Sequence, residues 1–369
     1  RGGAAEAVAV GPSLRGLVAL DEQRAFAAGS AGTVWCSDDG GQSHRPVGPA
    51  GQQQADYRDV ELLPDGALLL LSVTEPARVL RSDDRGGSWQ VVFEGEAAAF
   101  FDAFAVGHGR VVVLADPPAP APAVAAAAPA AADAALRFGL FVSDDGGREF
   151  RPLPAEQLPP ALPGEHAFAA SGTCLVALPA SHPHRFAFVT GGSVSRFVAF
   201  GGDEPPWVTP LPLQQGTASR GAFALAVHGR RVVVVGGDHL EPELAAGTAA
   251  CSDDGGRTFR SAAAGGYRSA VVFLDASTLF AVGPRGASWS IDGGRRWLAV
   301  PRPRLHTLAR AADGSLWGAG ADGQLLRLLP PTNVPGTSAA SGTFAGTPSA
   351  SSPSVGNLPR LRLDGSGSP

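Results

Sequence analysis

Cysteine is scarce in this chain of 369 residues, and its scarcity excludes two kinds of site. Cys36, Cys174 and Cys251 are too few and too widely spaced to form a disulfide framework or a four-ligand zinc centre. Free cysteine is usually buried in folded proteins. We therefore expect three small buried thiols, with no bound metal and no other cofactor.

Excess basic charge and long apolar runs are also missing. Arginine and lysine together number 29 against 34 acidic residues, so the formal net charge is −5. A protein whose main partner is a nucleic acid needs a basic stripe, so this class is not expected. A membrane-spanning helix needs about 20 consecutive apolar residues, and the sequence has no such run. We predict no transmembrane segment, so any contact with a membrane would be peripheral.

Methionine is absent even from the first position, which is Arg1. This favours a processed form from which an export or transit signal has been removed. The expected location is the periplasm or the extracellular space, or the thylakoid lumen if the protein comes from a plastid.

Glycine, in contrast, is abundant, and one acidic glycine-rich pattern occurs five times. Each copy has the form Ser-x-Asp-x-Gly-x-x-aromatic, except that the first copy ends in His44. We call these segments SxDxG turns. They cover residues 37–44, 82–89, 143–150, 252–259 and 290–297, and their aspartates are Asp39, Asp84, Asp145, Asp254 and Asp292.

The residue types in this pattern favour a structural turn over a binding loop. Serine and aspartate side chains accept hydrogen bonds from nearby backbone N–H groups, and glycine supplies a positive φ. A calcium loop needs alternating acidic or amide ligands with a distal glutamate, and a phosphate loop needs Gly-Lys-Ser/Thr. None of the five copies has either set. We predict that the five aspartates are structural, and that the final aromatic residue fills the space between neighbouring sheets.

The spacing of the turns predicts an all-β fold, a seven-bladed β-propeller with four-stranded antiparallel blades. Self-similarity at a period of about 40–50 residues is typical of propellers and solenoids. Each unit has short apolar runs on both sides of its turn and no helical period, which favours four-stranded sheets repeated around an axis. Seven segments are predicted as inner strands: 14–20, 57–63, 101–106, 166–171, 220–227, 267–273 and 305–311.

Two units lack a good turn, and the ring needs a closing strand. In the fourth and seventh units, 190–197 and 320–328 stand where an SxDxG turn is expected. The seventh unit ends after three strands near Leu329, and we expect the apolar residues 6–11 to supply its fourth strand, because closure removes both open sheet edges. The propeller would then occupy residues 1–330.

Two segments have compositions that do not favour a packed fold. Residues 116–135 are rich in proline and alanine, and residues 331–369 are rich in proline, serine, glycine and threonine. Such segments bury too little apolar surface to offset the entropy of ordering. We predict a flexible insert in the third blade and a disordered tail after the last.

The repeated turn resembles the Asp-box, or BNR repeat, of sialidase-like propellers. Further segments resemble, in the same order, a family of bacterial BNR-repeat proteins similar to the photosystem II stability/assembly factors. The similarity covers about residues 6–330, and its clearest segments are "SLRGL" (13–17), "YRDVE" (57–61), "GEHAFAASGT" (164–173), "FVTGG" (188–192), "VVGGDHLEPE" (234–243), "GYRSAVVF" (266–273), "AVGPRGASWSIDGGRRW" (281–297) and "LWGAGADGQLLRL" (316–328). The resemblance implies a binding or assembly role at a membrane photosynthetic or respiratory complex.

The openings of the seven inner strands form the candidate site, because in a propeller they surround the mouth of the central channel. The positions are Arg15, Arg58, Asp102, His166, Gly221, Arg268 and His306, with Asp59, Glu165 and Arg220 beside them. Several arginines in one ring repel each other unless acidic groups or a ligand balance them.

Three interpretations of this ring are open. The arginines pair internally with Asp59, Asp102 and Glu165, or they bind an acidic group of a partner, or the ring carries out catalysis. We predict partner binding, with a protein subunit or an acidic peptide segment held by the arginine-rich face. The predicted contact residues are Arg15, Arg58, Asp59, Asp102, His166, Arg220, Arg268 and His306.

The alternative is a glycoside hydrolase of the sialidase-like superfamily. That chemistry needs three arginines around a carboxylate, a tyrosine–glutamate nucleophile and an acidic proton donor. Arg15, Arg58 and Arg268 could form the triad, and the two tyrosines directly precede two of these arginines. However, the Arg-Ile-Pro segment typical of sialidases is missing, and adjacent strand residues point to opposite faces. An inverting hydrolase with two carboxylates also stays open, but a non-catalytic scaffold is the leading interpretation.

Overall fold

Alternating apolar runs and glycine turns fold the chain into seven antiparallel sheets arranged as the blades of a propeller. The computed structural model describes residues 11–118, 136–329 and 362–363. Its sheet topology confirms the predicted seven-bladed, all-β architecture. Within the described ranges no helix is long and apolar enough to cross a bilayer.

The first three blades each consist of four strands in sequential order. Blade 1 contains β1 (Leu14–Ala19), β2 (Ala25–Gly29), β3 (Val34–Ser37) and β4 (Arg45–Pro46). Blade 2 contains β5 (Tyr57–Leu62), β6 (Leu68–Ser72), β7 (Arg78–Ser82) and β8 (Gln90–Glu94). Blade 3 contains β9 (Phe101–Gly107), β10 (Arg110–Ala115), β11 (Gly139–Ser143) and β12 (Arg151–Pro152).

The fourth and fifth blades share extra pairing. After a short 3-10 turn (Ala155–Gln157), the chain forms β13 (Glu165–His166), β14 (Leu175–Ala177), β15 (Phe186–Val189), β16 (Gly191–Gly192), β17 (Arg196–Phe200) and β18 (Trp207–Pro210). Blade 4 consists of β14, β15, β17 and β18. Blade 5 contains β19 (Arg220–His228), β20 (Arg231–Asp238), β21 (Ala249–Ser252) and β22 (Arg260–Ala262), and β13 and β16 extend its inner edge.

The last two blades complete the ring. Blade 6 contains β23 (Ala270–Phe273), β24 (Leu279–Gly283), β25 (Gly286–Ser290) and β26 (Leu298–Val300). Blade 7 contains β27 (Thr307–Arg310), β28 (Leu316–Ala319), β29 (Leu325–Leu329) and β30 (Arg362–Leu363), with a 3-10 turn (Ala321–Gly323) before β29.

The core lies between neighbouring blades, which explains why the second strands are apolar along their whole length. Every residue of β2, β6, β24 and β28 is buried, because each of these strands packs on a blade at both of its faces. Blade 7 closes on blade 1 through Trp317, whose indole packs with Leu14 and Ala27 and donates to the backbone oxygen of Asp21 at 2.9 Å. The three cysteines are buried and free, as the sequence predicted.

Three sequence predictions about strand positions need correction. The inner strand of blade 4 is β14, not 166–171, because β13 pairs away from that blade with β16 at the edge of β19. The third strand of blade 4, β17, begins at Arg196 within the predicted 190–197, so the loop in the turn position is 201–206. Residues 320–324 connect the second and third strands of blade 7, so they do not occupy a turn position either.

The closing strand differs from the expectation. Residues 6–10 of the predicted strand lie outside the described residues, as do most of the predicted insert and tail. The fourth position of blade 7 is taken by β30, whose Leu363 pairs with Leu328 and whose Arg362 pairs with Leu329.

All five SxDxG turns connect the third and fourth strands of their blades and have one hydrogen-bond pattern. The serine hydroxyl donates to the aspartate Oδ1 at 2.6–3.0 Å and accepts from the N–H of the glycine four residues after the serine at 2.7–2.9 Å. The same Oδ1 accepts the N–H four residues after the aspartate at 2.8–3.1 Å. In the first turn, hydrogen bonds led by the Ser43 hydroxyl lower the pKa of Asp39 to about 2. The carboxylate oxygens therefore act as backbone acceptors, which is the predicted structural use.

The phenylalanines that end the turns of blades 3 and 5 pack on the preceding blade. Phe150 stacks on Phe93 at a centroid distance of 5.4 Å, and Phe259 packs on Phe197 at 5.5 Å. Gly256 has a φ of +87°, and a Cβ at this position would lie 2.4 Å from the Phe197 ring. Only glycine combines this backbone conformation with so close an approach.

Candidate functional site

A cavity of about 560 Å³ opens at the centre of one face of the propeller. Its walls come from the openings of inner strands and from loops between second and third strands. Because blade strands alternate in direction, the SxDxG turns lie on the opposite face. The lining residues are Arg15, Arg58, Phe100, Asp116, His166, Ala167, Phe168, Ala169, Ala170, Phe223, His239, Tyr267, Ser269, Pro284 and His306.

The cationic side of the cavity comes from blades 1 and 2. Arg58 donates to Asp56 Oδ2 at 2.6 Å and to the backbone oxygen of Ala169 at 3.0 Å, while its buried Nε has no acceptor. Arg15 lies nearby at the equivalent position of blade 1. Within the described part of the chain, no carboxylate or other acceptor is within hydrogen-bond distance of the Arg15 guanidinium.

The charge on Arg15 is held in an unfavourable setting. Burial, and then the neighbouring positive charge of Arg58, lower the pKa of the Arg15 guanidinium. Arginine stays protonated at any physiological pH in spite of such shifts. The cavity therefore contains a half-buried cation whose N–H donors have no acceptor among the described residues, and an anionic ligand would supply one.

Of the three histidines that line the cavity, the two that the sequence predicted, His166 and His306, do not both contribute a positive charge. Burial and the adjacent Arg15 lower the pKa of His306 to about 4, so its imidazole is neutral at physiological pH. Its Nδ1 lies 3.2 Å from the Ser13 hydroxyl. His166 reaches the cavity from β13, and its Nε2 lies 3.1 Å from the backbone oxygen of Ala218.

A pair of carboxyl groups lies at the blade 3 side of the cavity. Asp102 is completely buried, and its carboxyl group contacts that of Asp116, which lines the cavity. Two carboxylates can only accept hydrogen bonds, so this contact becomes a hydrogen bond when one of them is protonated. Burial and the neighbouring carboxyl raise the pKa of Asp102 well above its usual range, and burial raises that of Asp116 to about 6. Asp116 also accepts the Ala167 N–H at 2.7 Å.

The other predicted acidic residues have structural partners rather than ring arginines. Asp59 is buried and accepts the backbone N–H groups of Val60 at 2.9 Å and Phe104 at 2.8 Å, which connects blades 2 and 3. Glu165 is paired with Arg196, whose Nε lies 2.7 Å from Glu165 Oε1. The predicted pairing of these acids with the ring arginines is therefore wrong, and Asp56 takes that role for Arg58.

Two of the predicted arginines do not line the cavity. Arg220 pairs with Asp238 at 2.8 Å and with Glu241 at 3.5 Å. Arg268 is only 3% exposed and donates to Ser288 Oγ at 2.9 Å and to backbone oxygens, including that of Tyr267 at 2.9 Å. The prediction that Arg268 stands at the channel mouth is wrong, because its side chain turns back into blade 6.

An aromatic wall lines the same cavity as Arg15 and Arg58, and sequence reasoning did not find it. Phe168 stacks on Phe223 with a centroid distance of 3.7 Å and an interplanar angle of 14°. Tyr267 packs edge-on against Phe223 at 4.7 Å, and His239 meets both phenylalanines edge-on. The four residues come from the segment before β14, from β19, from the loop after β20 and from the segment before β23. Each looks like an ordinary core residue in its own segment, so no local signal marks the wall.

The cavity geometry also tests two other kinds of site, a metal centre and the side-chain arrangement of a sialidase. The described residues contain no cluster of three histidine, cysteine, aspartate or glutamate side chains suited to a metal ion. Arg268 does not converge with Arg15 and Arg58, and the described lining includes Tyr267 but no glutamate. The triad and the tyrosine–glutamate pair of a sialidase are therefore not assembled at this cavity.

Comparison with known proteins shows the fold and leaves the function open. No protein-family model matches the sequence, and no curated protein does. Among solved structures, the chain is similar to YCF48 bound to a D1 peptide, with 13% identity and a TM-score of 0.56 over 87% of this chain and 92% of that one. It is also similar to YCF48 from Cyanidioschyzon merolae, with 16% identity and a TM-score of 0.55 over 87% and 96% of the two chains.

The WD40 propeller domain of Doa1 matches about as well. Its identity is 12% and its TM-score is 0.55, over 87% of this chain and 93% of that one. Because propellers of different function match equally, these similarities establish the propeller architecture alone.

Proposed function

We propose that the protein is a non-catalytic scaffold that binds an acidic segment of a partner protein in its central cavity. The single observation that carries the proposal is the setting of Arg15, a desolvated guanidinium that faces the cavity without an acceptor among the described residues. A buried cation is costly unless it is paired. A peptide carboxylate would pair with it and reach the Arg58 guanidinium beside it.

The proposal extends to the identity of the partner and to the location of the protein. The Asp-box resemblance, together with the likeness to YCF48 bound to a D1 peptide, favours a subunit of a membrane photosynthetic or respiratory complex. We place the protein in this BNR-repeat family and, accordingly, outside the cytosol, peripheral to the membrane that holds its partner. Cell fractionation with a marker for each compartment tests the location.

The binding proposal is tested by capture of a partner from solubilised membranes of the source organism. The wild-type propeller, an Arg15→Glu variant and an Arg257→Glu control are immobilised at equal amounts. Arg257 lies in an SxDxG turn on the opposite face and stacks on Trp207 at 4.2 Å, so it matches the charge change without touching the cavity.

We expect the wild type and the control to retain the same partner, and Arg15→Glu to lose it. Retention should weaken as salt rises, because partly exposed ion pairs are screened over about 8–10 Å at 0.1–0.15 M. Equal retention by all three proteins would place the binding surface elsewhere and contradict the proposal.

A further inference from the structure

We infer that the cavity recognises a peptide carboxylate together with an adjacent aromatic side chain, as in an Asp-Phe or Glu-Phe pair. This inference rests on the proposed function and narrows the acidic segment to one chemical class. It follows from the positions of the cationic wall and the aromatic wall around the cavity.

The cationic and aromatic walls belong to different sectors of the ring. Arg15 and Arg58 open the inner strands of blades 1 and 2. Phe223 and His239 belong to blade 5, and Tyr267 precedes the inner strand of blade 6. A ligand that fills the cavity must therefore present an anion to one sector and an apolar face to the other.

The aromatic wall is held rigidly, which suits it to bind a ring. Phe223 and Tyr267 are almost completely buried and pack edge-on, and Phe223 stacks on Phe168, which is itself partly exposed at the cavity. Aromatic rings prefer offset-stacked or edge-to-face neighbours, and both geometries are already present in the wall. An aliphatic or polar side chain would fill the same space without those contacts.

The two walls adjoin, so the carboxylate and the ring must be close in the ligand. Arg58 donates to the backbone oxygen of Ala169 at 3.0 Å, and Ala169 directly follows Phe168 in the chain. A volume of about 560 Å³ lies within the range of ordinary ligand pockets, which are mostly apolar with a few polar groups that fix orientation. An acidic residue and an aromatic residue next to each other in a short peptide would reach both walls.

The inference is tested with four fluorescently labelled probes in a binding titration by anisotropy. They are the amidated peptides Gly-Asp-Phe-Gly, Gly-Asp-Ala-Gly and Gly-Asn-Phe-Gly, and labelled 3-phenylpropanoate as a small aromatic carboxylate. We expect Gly-Asp-Phe-Gly to bind most tightly. Loss of the ring or of the charge should each weaken binding about 10-fold or more, as burial of one aromatic side chain or one charge-assisted hydrogen bond implies.

Each result has a defined meaning. Equal binding of Gly-Asp-Phe-Gly and Gly-Asp-Ala-Gly would overturn the inference while the proposed acidic-peptide function stands. Binding of neither acidic peptide would count against both. Tight binding of 3-phenylpropanoate alone would identify a small metabolite as the occupant and overturn the assignment to a peptide.

Variants of the protein separate the two walls. Phe168→Ala should weaken the binding of Gly-Asp-Phe-Gly about 10-fold and leave the binding of Gly-Asp-Ala-Gly unchanged. Only the peptide that contains phenylalanine contacts the ring of Phe168. Phe168→Leu, which keeps most of the volume, checks that the fold is intact and should bind at intermediate strength. Arg15→Gln should weaken the binding of both acidic peptides and leave the binding of Gly-Asn-Phe-Gly unchanged. A Phe168→Ala variant that weakens all peptides equally would contradict the division into two walls.

Discussion

The buried carboxyl pair gives the sharpest prediction about stability, because it reverses the usual direction of acid denaturation. Asp116 has a pKa raised from 3.8 to about 6 by burial, and Asp102 is raised further beside it. The folded protein thus binds protons that the unfolded chain has released. Where the folded state binds more protons, the free energy of unfolding falls as pH rises.

The size of the effect follows from the shift of Asp116. One pKa unit corresponds to 1.36 kcal/mol, so a shift of about two units removes about 3 kcal/mol of stability between pH 4 and pH 7. Burial raises the pKa of Asp102 as well, so this carboxyl group adds to the loss as pH rises. An Asp102→Asn variant keeps residue 102 uncharged at every pH and offers an amide donor to Asp116. Its second amide hydrogen is buried, at a cost of about 1 kcal/mol, but the wild type at high pH must bury a second negative charge, so the variant should be the more stable protein at pH 8.

The assay is urea unfolding followed by tryptophan fluorescence from pH 4.5 to pH 8. Asp102→Asn should be more stable than the wild type at pH 8, and it should lose this advantage near pH 4.5, where both carboxyl groups of the wild type are protonated and only the cost of the buried amide remains. Asp203→Asn, at an exposed position of blade 4, is the matched control and should not change the pH profile. If Asp102→Asn is less stable at pH 8, or if the difference is the same at both pH values, the shared proton is refuted.

Three further outcomes are expected. Arg268→Gln should lower the free energy of unfolding by about 2–4 kcal/mol in urea titration, because the lost N–H donors leave buried backbone oxygens unsatisfied; a change below 1 kcal/mol would contradict the structural role. Excess chelator should leave the thermal midpoint unchanged, since the turn aspartates accept backbone N–H groups, and a drop of several degrees would reveal a bound cation. Gly256→Ala should lower the thermal midpoint, because its Cβ would meet Phe197 at a φ of +87°, whereas Gly109→Ala, with a φ of +74° and open space, should show the backbone effect alone.

Local patterns were enough to predict the architecture. Each SxDxG turn is a closed set of hydrogen bonds within eight residues, so its meaning does not depend on distant parts of the chain. Its recurrence predicted a propeller, the seven predicted inner strands gave the blade count, and the aromatic residue at the end of the turn predicted the packing between blades. Strand predictions failed where the local apolar pattern of a segment disagrees with its pairing to strands far away in the chain. Residues 166–171 alternate like an inner strand, but β13 pairs with β16, which leaves β14 as the inner strand.

The candidate site was predictable only in part. The inner-strand prediction correctly placed Arg15, Arg58 and His306 at the cavity, and His166 lies there too, although it comes from β13 and not from an inner strand. The same reasoning failed for Arg268, because a long side chain can turn from the channel into its own blade, and its acceptors there are backbone oxygens that no sequence pattern marks.

What the sequence by itself determined is therefore the repeat, the turn chemistry and the seven-bladed ring, since each of these depends on contacts between residues close in the chain. Only the tertiary structure decided which charges are balanced. Arg58 meets Asp56 and Arg220 meets Asp238, while Arg15 meets no acceptor among the described residues. The aromatic wall and the Asp102–Asp116 pair likewise join segments far apart in sequence. Charge balance and burial depend on distances across the ring, and those distances exist only once the blades have closed.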